Sequence, residues 1–217
     1  MYITMIRHAL PVISRKEVGQ SADPELAEEG HDQVSQLVDR LQTVKFDAIY
    51  TSPMRRALQT ARPVAGSRGM TAIVKEELAE IDRRENEYIP MEKLREIDYQ
   101  RWYRTMKGEV AGGACLEEFG RKVINAIEDL INEHPSQHIA LICHGGVINA
   151  FASHVLGMKP RLFFLPKYTS IQRFAAARSG ERSILTLGEA VHLEPRGPSN
   201  YATRIPKNLD QPNPGSP

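Results

Sequence analysis

Two apolar runs in this chain end in histidine. "YITMI" leads into Arg7 and His8 and stops at Pro11, and "HIALIC" leads into His144 and then two glycines. A neutral imidazole, with a reference pKa of ~6.5, is a nitrogen nucleophile or a hydrogen-bond donor near neutral pH. Arg7 precedes one of the two histidines, and Arg55 and Arg56 follow a third run, "FDAIYT". A phosphoryl group asks for this combination: planar donors for its oxygens and a nitrogen in line with phosphorus. Other chemistries find less support. His31, His134, His138, His154 and His192 show no spacing that pairs them, so they read as ordinary polar residues. No His or Cys pair has metal-ligand spacing, and no glycine-rich dinucleotide loop is present in the sequence.

Elements must bring these residues together. "YITMI" (2–6), "FDAIYT" (46–51), "TAIVK" (71–75) and "HIALICH" (138–144) read as strands, the last as one buried on both faces of a parallel sheet. Val34, Leu37, Val38 and Leu41 recur at helical spacing, which predicts a helix over about 25–43. Ser52-Pro53 reads as an N-cap followed by proline at the first helical position, with Met54, Ala57, Leu58, Ala61 and Val64 on one face. Met91, Leu94, Ile97 and Trp102 predict a helix in a segment crowded with charge. "AGGA" (111–114) breaks the chain before a strongly amphipathic helix carrying Leu116, Phe119, Val123, Ile124, Ile127, Leu130 and Ile131. A helix over 145–157 starts on glycines. "SIQRFAA" (170–176) and "SILTLG" (183–188) close as two strands, joined through "ARSGER" as a hairpin.

Strand–helix alternation of this kind predicts an α/β fold: a three-layer α/β/α sandwich around a mainly parallel sheet, with one or more antiparallel strands from the hairpin. Ligands of such sheets bind beyond the carboxyl ends of the strands, where both histidines fall. A helix starting at Gly145 adds free backbone N–H groups and a positive dipole end. The expected organisation is one domain over 1–193, a cap insertion at 82–112, and an extended tail over 194–217 that holds six of the fourteen prolines.

Bulk properties narrow the partners. The chain has 217 residues, 41% apolar and 25% charged, with a formal net charge of +1. Nothing there favours nucleic acid or an acidic membrane, and no run of ~20 apolar residues is present. Cys115 and Cys143 read as unpaired, Cys143 as a small buried residue, which fits a cytoplasmic location.

"IRHALP", "YTSPMRRALQTA", "ELAEID" and "LICHGGVINA" resemble, in order, the signature blocks of the histidine phosphatase superfamily, the phosphoglycerate-mutase-like fold. "DPELAEEGHDQV", with Gly30 and Gln33, and "AGGACLEEF" are similar more weakly. The resemblance implies that His8 is phosphorylated, that Arg7, Arg56 and His144 hold the phosphate, and that Glu80 is the proton donor. It selects Arg56 over Arg55, since Arg56 directly precedes Ala57. It implies a phosphomonoester hydrolase acting on a small phosphorylated substrate without metal or cofactor, and it admits a homodimer. The alternatives are a phosphoglycerate-type mutase and a non-catalytic phospho-ligand binding module. Mutases of the family carry a Glu-Arg-x-Tyr-Gly run, and "RRENEY" (83–88) lacks that spacing. Where members commonly have Gly after Arg-His, this chain has Ala9. Ser14 stands where a phosphate contact is in doubt, and Ala114-Cys115 replaces a frequent Glu-Ser. Ala27 replaces a capping Thr, at about 1 kcal/mol unless Asp23 caps instead. Arg83, Arg84, Tyr88, Trp102 and Tyr103 are candidates to touch the leaving group, with Trp102 equally a core anchor.

Overall fold

Strand β1 (Tyr2–Arg7) sends alternate side chains to opposite faces. Ile3 and Met5 join a core with Ile139, Leu141, Val123, Ile127, Val147 and Phe151, while Ile6 joins Ala140, Ile142, Ile49, Leu37 and Ala57 on the other face. Two cores on either side of one sheet make three layers. The computed structural model describes residues 1–108 and 115–193. Its six-stranded sheet has the order β4-β3-β6-β1-β7-β8, with β3 (Ala48–Thr51), β4 (Ile73–Val74), β6 (His138–Cys143), β7 (Ile171–Ala176) and β8 (Arg182–Glu189). Strands β4, β3, β6 and β1 are parallel; β7 and β8 run antiparallel as a hairpin. This is the expected mainly parallel sheet. Strand β6 is buried from Ile139 to Cys143, so its unbroken apolar run follows from facing both cores.

Helices α1 (Glu28–Leu41) and α2 (Arg55–Gly66) cover one face through Val34, Leu37, Leu41, Ala57, Ala61 and Val64. Helices α5 (Leu116–Glu133) and α6 (Gly145–Val155) cover the other. Between β4 and α5 lie a 3₁₀ turn (Glu76–Leu78), the short strand β5 (Glu87–Tyr88), α3 (Met91–Ile97) and α4 (Tyr99–Met106). Strand β5 pairs with β2 (Ser14–Arg15) as a separate two-stranded sheet.

Three expectations need correction, and the reading of Ser14 as no phosphate contact agrees with the structure. The helix expected from Pro53 starts at Arg55 with Met54 as its N-cap, while the Ser52 hydroxyl accepts from Met54 N and meets His144 Nε2. Asp23 caps α2 rather than α1: its carboxylate accepts from Arg55 N at 3.0 Å, and Ala27 opens α1 without a side-chain cap. The helix expected through Trp102 is two helices, broken at Asp98, whose carboxylate accepts from Arg101 N at 2.9 Å and so starts a new helix. Ser14 pairs with Tyr88 in the small sheet and makes no wall of the phosphate cavity. The "AGGA" break, the end of the expected cap and the proline-rich tail lie outside the described residues.

Candidate active site

Register brings the two histidines together. Arg7 is opposite Cys143 in the parallel pair β1–β6, so the next residue on each strand, His8 and His144, emerges at the same end of the sheet. Their ring centroids are 4.9 Å apart. Both residues are buried, as are Arg7 and Arg56.

The hydrogen bonds fix the protonation of His8. Its Nδ1 lies 2.8 Å from the carbonyl oxygen of Ala9, which can only accept, so Nδ1 carries the proton. Nε2 therefore presents a lone pair, and Arg56 Nε donates to it at 3.3 Å. Burial, then the charges of Arg56 and Arg7, hold the His8 pKa well below 6.5. His8 is a neutral imidazole with its outward nitrogen unprotonated.

The loop after His8 is tied down by residues far along the chain. Thr60 Oγ1 accepts from Ala9 N at 3.0 Å, and Gln33 Oε1 accepts from Leu10 N at 2.9 Å. Gly30 is required beneath it, since a Cβ there would sit 2.2 Å from the Leu10 carbonyl oxygen. On the other side, Thr169 N donates to the Arg7 carbonyl at 3.1 Å with Thr169 at φ 54, a conformation costing a β-branched residue about 1–3 kcal/mol. That turn brings the Pro166 carbonyl to Arg7 Nη1 (2.6 Å) and the Tyr168 ring under the Arg7 guanidinium (3.9 Å to the centroid).

Ser52 follows β3 as His8 and His144 follow β1 and β6. Its Oγ lies 2.7 Å from His144 Nε2 and accepts from Met54 N at 3.3 Å. Nδ1 of His144, Arg7 Nε and Arg56 Nη1 have no hydrogen-bond partner, and all three are buried; Arg56 Nη1 has the Asp23 carboxylate only at 4.0 Å. Buried polar nitrogens left without hydrogen bonds are costly, so two guanidinium nitrogens and one imidazole nitrogen gathered beside His8 mark a place for an anion. His144 itself is fully buried beside His8 and does not line the cavity; its pKa is held well below 6.5 by burial and by Arg56.

Glu80 reaches the site from after the 3₁₀ turn. Its Oε2 accepts from Gly146 N at 2.8 Å, at the start of α6, and its Oε1 accepts from Ile81 N at 2.9 Å. A Cβ at Gly146 would fall 2.2 Å from Glu80 Oε1, so any side chain there would displace this carboxyl. Loss of solvent around the carboxyl, then the neighbouring Asp82 charge, raise its pKa above 4.5; the two amide bonds and Arg56 oppose this. Asp82 accepts from Arg56 Nη2 at 3.2 Å, and Glu92 accepts from Arg7 Nη1 at 3.4 Å. Arg7, His8, Arg56 and Glu80 share one cavity of about 150 Å³ with Tyr88 and Gly146.

The structure thus gathers all five expected site residues. Of the leaving-group candidates, Tyr88 lines the cavity and lies under the Arg56 guanidinium at 4.5 Å, while Arg83, Arg84, Trp102 and Tyr103 do not line it. Arg83 pairs with Glu76 at 3.1 Å, and Trp102 packs against Tyr99 and Arg95. Arg55 pairs with Glu25 at the surface. Sequence reasoning missed Ser52, Thr60, Gly146 and Tyr168. Ser52 carried a usable signal, its place directly after an apolar strand; Tyr168 lies in a loop without periodicity.

The model of the histidine phosphatase superfamily, branch 1, matches residues 3–187. The chain belongs to this superfamily. Phosphoserine phosphatase 1 of Hydrogenobacter thermophilus is 28% identical over 140 residues, 63% of this chain and 66% of that one. The probable phosphoglycerate mutase GpmB of Yersinia enterocolitica is 26% identical over 167 residues, 74% of this chain and 77% of that one. The crystal structure of the phosphoserine phosphatase of Entamoeba histolytica in complex with 3-phosphoglyceric acid superposes with a TM-score of 0.70 and 24% identity, over 89% of this chain and 99% of that one. That likeness establishes the fold.

Proposed function

We propose that this protein is a phosphomonoester hydrolase that works through a phosphohistidine at His8 on a small phosphorylated metabolite. The observation that carries this reading is the set of three buried nitrogens without hydrogen bonds, Arg7 Nε, Arg56 Nη1 and His144 Nδ1, around an imidazole whose Nε2 is unprotonated.

In the first step the His8 Nε2 lone pair attacks phosphorus, the P–O ester bond breaks, and the departing alkoxide takes a proton from Glu80. Phosphate displaces Arg56 Nε from the nucleophile and takes up the free arginine nitrogens. With the Ser52 hydroxyl donating to Nε2 of His144, the proton of that ring stands on Nδ1, available to a phosphoryl oxygen. In the second step water attacks phosphorus, Glu80 as carboxylate takes its proton, and the N–P electron pair returns to His8. Glu80 serves both steps because its pKa lies above the ordinary 4.5. Positively charged guanidiniums supply the neutralisation that phosphoryl transfer needs. The relatives named above include a phosphoserine phosphatase, which favours hydrolysis, and the mutase run absent from "RRENEY" argues in the same direction. A buried Cys143 and an unpaired, exposed Cys115 accord with a reducing, cytoplasmic setting.

Incubation with p-nitrophenyl phosphate from about pH 5 to 8 tests this: the wild type releases p-nitrophenol and inorganic phosphate, and His8→Ala does not. A folded, pure sample without turnover would leave a phospho-ligand binding module. Interconversion of 2- and 3-phosphoglycerate without free phosphate would make it a mutase.

A further inference from the structure

The cavity has two unlike ends. At the sheet it offers Arg7, His8, Arg56 and the first turn of α6. Away from the sheet its wall is apolar and comes from three directions: Ile89, Met91 and Leu94 before and within α3, Met106 at the end of α4, and Leu162 and Phe164 from the loop after α6. Leu94 is almost fully buried against this wall.

The charges at the outer end are mostly negative. Asp82, Glu85 and Glu87 line the cavity, and the one cation there among the described residues, apart from the two phosphate arginines, is Arg101. Arg101 is committed: its Nη1 lies 2.5 Å from Glu87 Oε2, and Arg15 bonds the same carboxylate at 2.6 Å. The Glu87 pKa is lowered, first by the hydrogen bond from Arg101, as a settled ion pair requires. Glu85 has no ion-pair or side-chain hydrogen-bond partner among the described residues.

A substrate alcohol that carries a carboxylate would place it here, a few ångströms from phosphorus. It would meet apolar side chains, the unpaired carboxylate of Glu85 and the carboxylate of Asp82, already matched by Arg56 Nη2 at 3.2 Å, where an anion needs a cation or several donors. An apolar body of ring or branched-alkyl size would instead lose water contact against Met91, Leu94 and Phe164, which is favourable.

Resting on the hydrolase reading, we propose that the alcohol released by this enzyme is uncharged and predominantly apolar, and that the cap-side carboxylate of Glu85 discriminates against phosphate esters bearing a carboxylate near the phosphate. Phosphoserine and phosphoglycerates are then poor substrates, although relatives carry those names.

The test compares kcat/KM for three alkyl esters, so that leaving-group acidity stays similar: 2-phenylethyl phosphate, glycerol 3-phosphate and 3-phosphoglycerate. The expected order is phenylethyl first, about tenfold or more above glycerol 3-phosphate, with 3-phosphoglycerate last. Leu94→Asn should erode the phenylethyl advantage through KM, and Glu85→Lys should raise 3-phosphoglycerate turnover relative to glycerol 3-phosphate several-fold. Because Leu94 is buried, competitive inhibition of each variant by inorganic phosphate, at the wild-type inhibition constant, checks that the phosphate end is intact. Equal or better turnover of 3-phosphoglycerate by the wild type overturns the inference and leaves the hydrolase reading standing. No hydrolysis of any ester, p-nitrophenyl phosphate included, overturns both.

Discussion

The two ends of the cavity are built by different means. At the phosphate end, each group follows a strand of the central sheet or opens a helix behind it: His8 after β1, Ser52 after β3, His144 after β6, Arg56 in the first turn of α2. Backbone pairing sets their spacing, and burial locks their rotamers. At the cap end, the wall hangs on a two-residue strand and on helices of seven and eight residues, pinned by side-chain ion pairs such as Arg101–Glu87–Arg15. The nucleophile and the phosphate ligands rest on the part of the fold that cannot shift without breaking the sheet, and Glu80, from the loop after the 3₁₀ turn, is tied to it through Gly146 N. Leaving-group contacts rest on a segment that can be rebuilt without touching it.

That contrast predicts graded losses. His8→Ala should remove turnover, by at least about 10⁴-fold in kcat, as loss of a nucleophile does; steady-state rates with p-nitrophenyl phosphate measure it. Glu80→Gln should cost about 10²–10⁴-fold with alkyl esters and far less with p-nitrophenyl phosphate, whose leaving group needs no proton. Equal losses with both esters would contradict the acid role. Gly146→Ala forces a methyl onto Glu80 Oε1 and should lose up to about 10²-fold with alkyl esters by displacing that carboxyl, again sparing the aryl ester. At the cap, Arg101→Met should change KM only a few-fold, since an accessible ion pair is worth about 0.2–1 kcal/mol. A large fall in kcat from that substitution would erase the distinction between the two ends.

Stability should report the same contrast through pH. His8 and His144 are held below 6.5 by burial first and then by neighbouring positive groups, Arg56 foremost. Below the unfolded value of ~6.5 the unfolded chain binds protons that the folded chain does not. Their contribution is therefore present above that pH and is lost as pH falls, by up to about 1.4 kcal/mol per pH unit for each. Denaturant titrations at several pH values should show this slope, and His144→Asn should flatten it.

Much of the phosphate end was legible in the chain because strand ends are marked by composition. Unbroken apolar runs stop at Arg7-His8 and at His144-Gly145, and parallel pairing does the rest. The linear pattern said less where one side chain had two possible partners. Ser52 reads as a helix cap until His144 claims its hydroxyl. Asp23 lies near α1 in sequence and near α2 in space. Gly146 looks like a helix start, and only the position of Glu80, far away in sequence, shows why no side chain fits there. The cap was least legible: Met91, Leu94, Ile97 and Trp102 satisfy a helical pattern over 91–102 that Asp98 interrupts by capping a second helix. Arg83 and Arg84 are as basic as Arg101, and only the fold shows which of them turns toward the cavity.

The most direct measurement is rapid acid-free quenching during turnover, followed by mass spectrometry of the peptide that contains His8. The account predicts one phosphoryl group on His8, formed in the first turnover, removed by mild acid and missing in His8→Ala. A phosphoryl group on any other side chain, or turnover in His8→Ala at the wild-type rate, would contradict it.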